Sequence, residues 1–127
     1  MVRVTAAVIR RGGKILLARR SGGQRMAGKW ELAGGKIEEG ETPEQCLARE
    51  MKEEFGIRVR VGRFLGAIVH TYDRGDIELM AYEVEHLGGE ITLTVHDQIR
   101  WVLPDEIDES ELADADVPLL RKISSSL

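Results

Sequence analysis

Three glutamates stand close together in this chain: Glu50, Glu53 and Glu54, within the run Arg49-Glu50-Met51-Lys52-Glu53-Glu54. At spacings of i+3 and i+4 they leave one face of a helix, where each like-charged pair costs roughly a few tenths of a kcal/mol. A helix face of this kind is ordinarily just a solvated surface. Here its neighbourhood differs, because Gly34-Gly35-Lys36 ends a strand just upstream and can turn backbone groups and an ammonium towards the carboxylates. A cluster of oxygen ligands is what a hard divalent cation such as Mg²⁺ selects, usually with phosphate oxygens completing its shell.

The helix that carries these groups is marked at both ends. Thr42 reads as its N-cap, Pro43 as its first residue and Gln45 as the closing member of a capping box. Leu47, Met51 and Phe55 recur every fourth residue as one apolar stripe beside the acidic face, and Gly56 is placed to cap the C-terminus. The pattern predicts a helix over Pro43–Phe55. Before it, Val2–Arg10 and Lys14–Arg19 read as a β-hairpin, Ser21–Lys29 as a loop and Trp30–Ala33 as a short strand. After it, Ile57–Val61, Phe64–His70, Ile77–Val84, Ile91–Thr94 and Ile99–Leu103 read as strands, with a helical turn at Pro104-Asp105-Glu106 and a closing helix at Val117–Ile123. Strands around one strong central helix, with a second helix at the end, predict a sheet packed between helices.

Composition narrows the setting. The 127 residues are 43% hydrophobic and 31% charged, enough apolar material for one buried core. No apolar run reaches the ~18–20 residues that span a bilayer, so neither a membrane partner nor a secretory leader is expected. The net charge of −4 comes from 22 acidic against 18 basic residues, which argues against a nucleic acid polymer as partner. A lone cysteine, Cys46, forms no internal disulfide and fits a reducing, cytoplasmic compartment.

The residues also carry a family resemblance. Gly35, Glu41 and the run Arg49-Glu50-Met51-Lys52-Glu53-Glu54-Phe55-Gly56-Ile57 match the Nudix box at every specified position. The stretch Met26-Ala27-Gly28-Lys29-Trp30-Glu31-Leu32-Ala33-Gly34-Gly35-Lys36 is similar to the entry into that box in MutT-type members. The resemblance implies an α/β fold, an α/β/α sandwich with a mixed β-sheet, in one domain over residues 1–127. It also implies hydrolysis of a nucleoside diphosphate linked to another group, dependent on Mg²⁺ or in its place Mn²⁺. Carried over by position, Glu50, Glu53, Glu54 and the Gly34 carbonyl would hold metal, Arg49 would orient the acidic residues, and Glu41 would brace the loop. Arg20, Glu31, Lys36 and Asp116 would meet the nucleotide, and the protein would work as a monomer or homodimer.

Two positions refine that expectation. Many MutT-type members have a further glutamate six residues before the tryptophan of the penultimate strand; here that position is Val95, beside His96 and Asp97. The box carboxylates therefore become the stronger candidates for the base. The segment Ala115-Asp116-Val117-Pro118-Leu119-Leu120 is more similar to the CTP and 5-methyl-dCTP pyrophosphohydrolase branch. Asp116 has two readings: an ionised acceptor for the exocyclic amine of cytosine, or the N-cap of the closing helix. The expected activity is a pyrophosphohydrolase acting on cytidine-type triphosphates. Clearance of 8-oxo-dGTP is the alternative within enzymes, and a non-catalytic nucleotide-binding module is the alternative outside them.

Overall fold

Gly12 (φ 57°) and Gly13 (φ 80°) form the two-residue turn that joins strands β1 (Val2–Arg11) and β2 (Lys14–Arg20). Both angles are positive, as the turn type that matches strand twist demands. The computed structural model describes residues 1–127. Its remaining elements are β3 (Trp30–Glu31), β4 (Gly34–Lys36), α1 (Pro43–Phe55), β5 (Arg58–Tyr72), β6 (Gly75–Gly88), β7 (His96–Val102) and α2 (Asp116–Ile123). Short 3-10 turns lie at Pro104–Glu106, Glu109–Glu111 and Ser124–Ser126. No helix is long and apolar enough to cross a membrane.

The seven strands form a mixed sheet centred on β1. Most of β1 runs parallel to β6, from Val2 opposite Ile77 to Ile9 opposite Val84. On the other side it pairs antiparallel with β4, Thr5 opposite Gly35 and Ala6 opposite Gly34. Strand β2 continues the sheet to β3 and β7, and β5 pairs with β6 at the far edge.

Alternation along β1 builds the two sides of the core. Ala7 and Ile9 pack with Leu47, Met51 and Phe55 of α1, whereas Ala6 and Val8 pack with Leu119, Leu120 and Ile123 of α2. A sheet buried between two helices is the expected sandwich. Helix α1 has the predicted bounds: the Thr42 hydroxyl accepts from the Gln45 N–H at 3.1 Å, the reciprocal Gln45 bond is 3.0 Å, and Gly56 caps with φ 69°.

Three expected strands resolve differently. Ile57–Val61 and Phe64–His70 are parts of a single strand, β5, because register shifts between Val61 and Gly66 absorb the break instead of ending the pairing. Ile91–Thr94 is no strand. Ile91 and Leu93 do point into the core, but the backbone serves the end of α1. The Thr92 N–H donates to the Phe55 carbonyl at 2.9 Å, and the Thr94 hydroxyl donates to the Glu53 and Glu54 carbonyls at 3.2 and 3.0 Å. The segment satisfies carbonyls that a helix end leaves open.

Candidate active site

Arg49 is the main side-chain tie between strand β4 and helix α1, beside a bond from Cys46 Sγ to the Gly35 carbonyl at 3.4 Å. Arg49 grips Glu41 at 2.7 and 3.0 Å, donates to Glu50 at 2.7 Å and Glu53 at 3.2 Å, and reaches the Lys36 carbonyl at 3.1 Å. Glu41 in turn accepts the Glu38 N–H at 2.9 Å, which ties the connecting loop to the helix. The Arg49 hydrogen bonds hold the Glu41 carboxyl down at about 2. The two glycines before the loop are there because backbone and carboxylate come too close for anything larger. A Cβ on Gly34 would lie 2.0 Å from the Thr5 carbonyl oxygen, and one on Gly35 would lie 2.3 Å from the Glu50 carboxyl carbon.

The acidic trio divides. Glu53 leans towards Arg49 and its side chain is 58% exposed, while the Glu50 side chain is 14% exposed against the glycine strand. No three His, Cys, Asp or Glu side chains converge at metal-binding spacing. Glu54 is the informative member: its Oε1 is buried and finds no hydrogen-bond partner. Burial, then the neighbouring Glu50 and Glu31 charges, push its carboxyl up to about 8. An unsatisfied buried oxygen among like charges is relieved by a cation, so these residues fit one. The three box carboxylates and the Gly34 carbonyl are all oxygen donors, the set that Mg²⁺ takes.

Beside Glu54 and Gly34 opens a hollow of about 290 Å³, walled also by Gly35, Leu32 and His96. A second hollow of about 360 Å³ is lined by Tyr72, Met26, Ile77, Ala113 and Arg25. The two share Val4, Arg20, Glu31, Leu79 and Asp116, so they form one cleft with an acidic end and a more apolar end. Of the expected nucleotide contacts, Arg20, Glu31 and Asp116 meet here at the junction. Lys36 does not: its ammonium is exposed and lines neither hollow, and its carbonyl serves Arg49.

Asp116 is not the cap of α2. It is the first helical residue, only 5% exposed, and its Oδ2 accepts the Leu32 N–H at 2.9 Å. Nor does it stand as a simple ionised acceptor, since burial and then the Glu31 charge push its carboxyl up to about 8. His96, beside the Val95 position, opens β7, is 4% exposed and meets Glu31 at 2.9 Å. Asp97 is held outside by Arg19 at 2.7 Å, and the Val95 carbonyl accepts from Ser21 and Gln24.

A family model described as NUDIX domain matches residues 1–123. The chain belongs to the Nudix hydrolase family. It is 41% identical over 121 residues to a CTP pyrophosphohydrolase of Escherichia coli, covering 95% of this chain and 90% of that one. It is 32% identical over 124 residues to an 8-oxo-dGTP diphosphatase of Haemophilus influenzae, covering 97% and 91%. Among solved structures, the Escherichia coli ORF135 protein superposes with a TM-score of 0.88 at 39% identity, covering 98% of this chain and 89% of that one. The box spans Gly35–Ile57 across β4, the loop and α1.

Proposed function

We propose that this Nudix hydrolase is a Mg²⁺-dependent nucleoside triphosphate pyrophosphohydrolase that acts best on cytidine-type nucleotides. The observation that carries the reading is the single cleft, which joins the Glu54 and Gly34 end to the Glu31 and Asp116 junction. Triphosphate would lie at the acidic end and the base at the other. Glu50, Glu53, Glu54 and the Gly34 carbonyl would hold the metal, and Arg49 keeps Glu50 and Glu53 aimed. Bound Mg²⁺ supplies phosphate charge neutralisation and an acidified water. The water oxygen bonds to phosphorus as its proton passes to a box carboxylate, the bridging P–O bond breaks with its electron pair going to the leaving phosphate oxygen, and nucleoside monophosphate and pyrophosphate leave. Arg20, at the junction, is the guanidinium placed to meet remaining phosphate charge.

Base choice follows from the two junction carboxyls. A neutral Asp116 both donates and accepts, so it suits a cytosine edge and a uracil edge alike. Glu31 faces two donors, Arg20 at 3.0 Å and His96 at 2.9 Å, and acts as an acceptor. The cytosine amine donates to it; the uracil oxygen at the same place does not. An unmatched acceptor pair costs about 1–3 kcal/mol, or roughly 5- to 150-fold in kcat/KM. The likeness to a CTP pyrophosphohydrolase supports this reading, and the likeness to an 8-oxo-dGTP diphosphatase supports oxidised purine triphosphates as the second. The test is kcat/KM for CTP, UTP and 8-oxo-dGTP on wild type and Glu31→Gln. The expected result is CTP ahead of both others, with the CTP-to-UTP gap narrowed by Glu31→Gln, whose amide also donates. Equal CTP and UTP values in the wild type overturn the base reading.

A further inference from the structure

The register of β2 against β7 slips at one place. Arg19 lies opposite Gln98, but Arg20 lies opposite His96, so Asp97 is the extra residue of a bulge. Without the slip, Asp97 would stand on the same face as Arg20 and His96 would point away, because side chains alternate along a strand. The bulge therefore exchanges a carboxylate for an imidazole in the cleft wall beside Glu31. It also sends Asp97 outward to Arg19.

What the imidazole meets there is Glu31. His96 Nε2 lies 2.9 Å from Glu31 Oε2, and Arg20 Nη1 lies 3.0 Å from Oε1. Each oxygen of the carboxylate is held by a different donor, which fixes the plane of the group as well as its place. A carboxylate only accepts, so Nε2 is the donor in this contact. Nδ1 is buried and has no partner, so the ring gives up one hydrogen bond to keep the other. A fold that merely needed to fill this space beside Phe55, whose ring centroid is 5.6 Å away, gains nothing from an orphaned nitrogen.

We infer that His96 is a positioning residue for nucleotide recognition: it locks the Glu31 carboxylate in the orientation that reads the nucleotide, while Arg20 holds the other oxygen. His96 does not touch the reacting phosphorus; its effect passes through Glu31. The inference rests on the pyrophosphohydrolase reading above and adds a residue to it. Losing His96 frees the carboxylate to rotate, so substrate binding and base choice suffer and the chemical step does not.

The experiment compares wild type, His96→Ala and His96→Gln, with folding checked by melting curves. It measures kcat and KM for CTP and UTP, and binding of the non-hydrolysable α,β-imido analogue of CTP by calorimetry. A hydrogen bond to a charged group is worth enough to raise KM and weaken analogue binding about tenfold in His96→Ala. The CTP-to-UTP ratio should shrink with it while kcat stays within about threefold. His96→Gln, whose side-chain amide donates at nearly the same reach, should recover most of both. Unchanged KM and base ratio in His96→Ala, or a fall in kcat alone, overturns the inference and leaves the hydrolase reading standing. So does a His96→Gln variant as impaired as His96→Ala. A wild type that releases no pyrophosphate from any nucleotide overturns the hydrolase reading and the inference together.

Discussion

Asp116 shows how burial changes what a side chain says. A carboxyl held at about 8 in the folded protein and at its ordinary value of 3.8 in the open chain binds its proton more tightly when folded. By linkage, folding then favours the low-pH side: the contribution is complete below the ordinary carboxylate range and is lost as pH rises through about 8. In metal-free buffer the urea midpoint of the wild type should fall between about pH 5 and about pH 9, and Asp116→Asn should flatten that fall. Parallel curves for the two proteins would show that Asp116 ionises freely. The position of this residue was legible in the sequence, beside the closing helix. Its protonation was not, because the burial and the Glu31 charge that raise the carboxyl exist only once the packed fold has brought the residue to Leu32, 84 positions earlier in the chain.

At the level of elements, Gly34 and Gly35 are neighbours with opposite consequences. The Cβ of Gly34→Ala would run into the Thr5 backbone, so the β1–β4 pairing must shift, at about 1–3 kcal/mol of stability. The Cβ of Gly35→Ala would meet the Glu50 carboxylate, a side chain that can move. Gly35→Ala should therefore melt nearer the wild type than Gly34→Ala yet lose on the order of 10²-fold in kcat, since a displacement of about 1 Å is costly at a reacting centre. Melting curves and turnover on the same preparations check both halves. Similar melting losses in the two variants would mean that Gly35 is as structural as Gly34. Helix α1 was readable to its bounds because its caps are local: Thr42, Gln45 and Gly56 act within a few residues of what they satisfy. Ile91–Thr94 was misread for the converse reason. Its alternation is real, but the backbone partner is the end of α1 and not a strand. The slip that aims His96 is equally silent, since a bulge is a relation between β2 and β7 and neither strand carries it alone.

Across the whole molecule, the sandwich brings the β4–α1 unit to one end of the cleft and the start of α2 to its junction, and it does so by crowding carboxylates. Burial, then the Glu50 and Glu31 charges, raise the Glu54 carboxyl, a cost that a bound cation relieves. Mg²⁺ should accordingly raise the melting temperature by several degrees once its concentration exceeds its dissociation constant about a hundredfold. In Glu54→Gln, with that charge gone, the Mg²⁺ effect should shrink to a small fraction. An unmoved wild-type curve would leave the acidic face as a solvated surface.

The reaction itself is the most direct test of the assembled site. Wild-type protein incubated with CTP and Mg²⁺ is followed for its products by chromatography and a pyrophosphate assay. CMP and pyrophosphate are expected in equal amounts, with no turnover when EDTA removes the metal. Orthophosphate and CDP as the products, or turnover that survives EDTA, would contradict the proposed reaction.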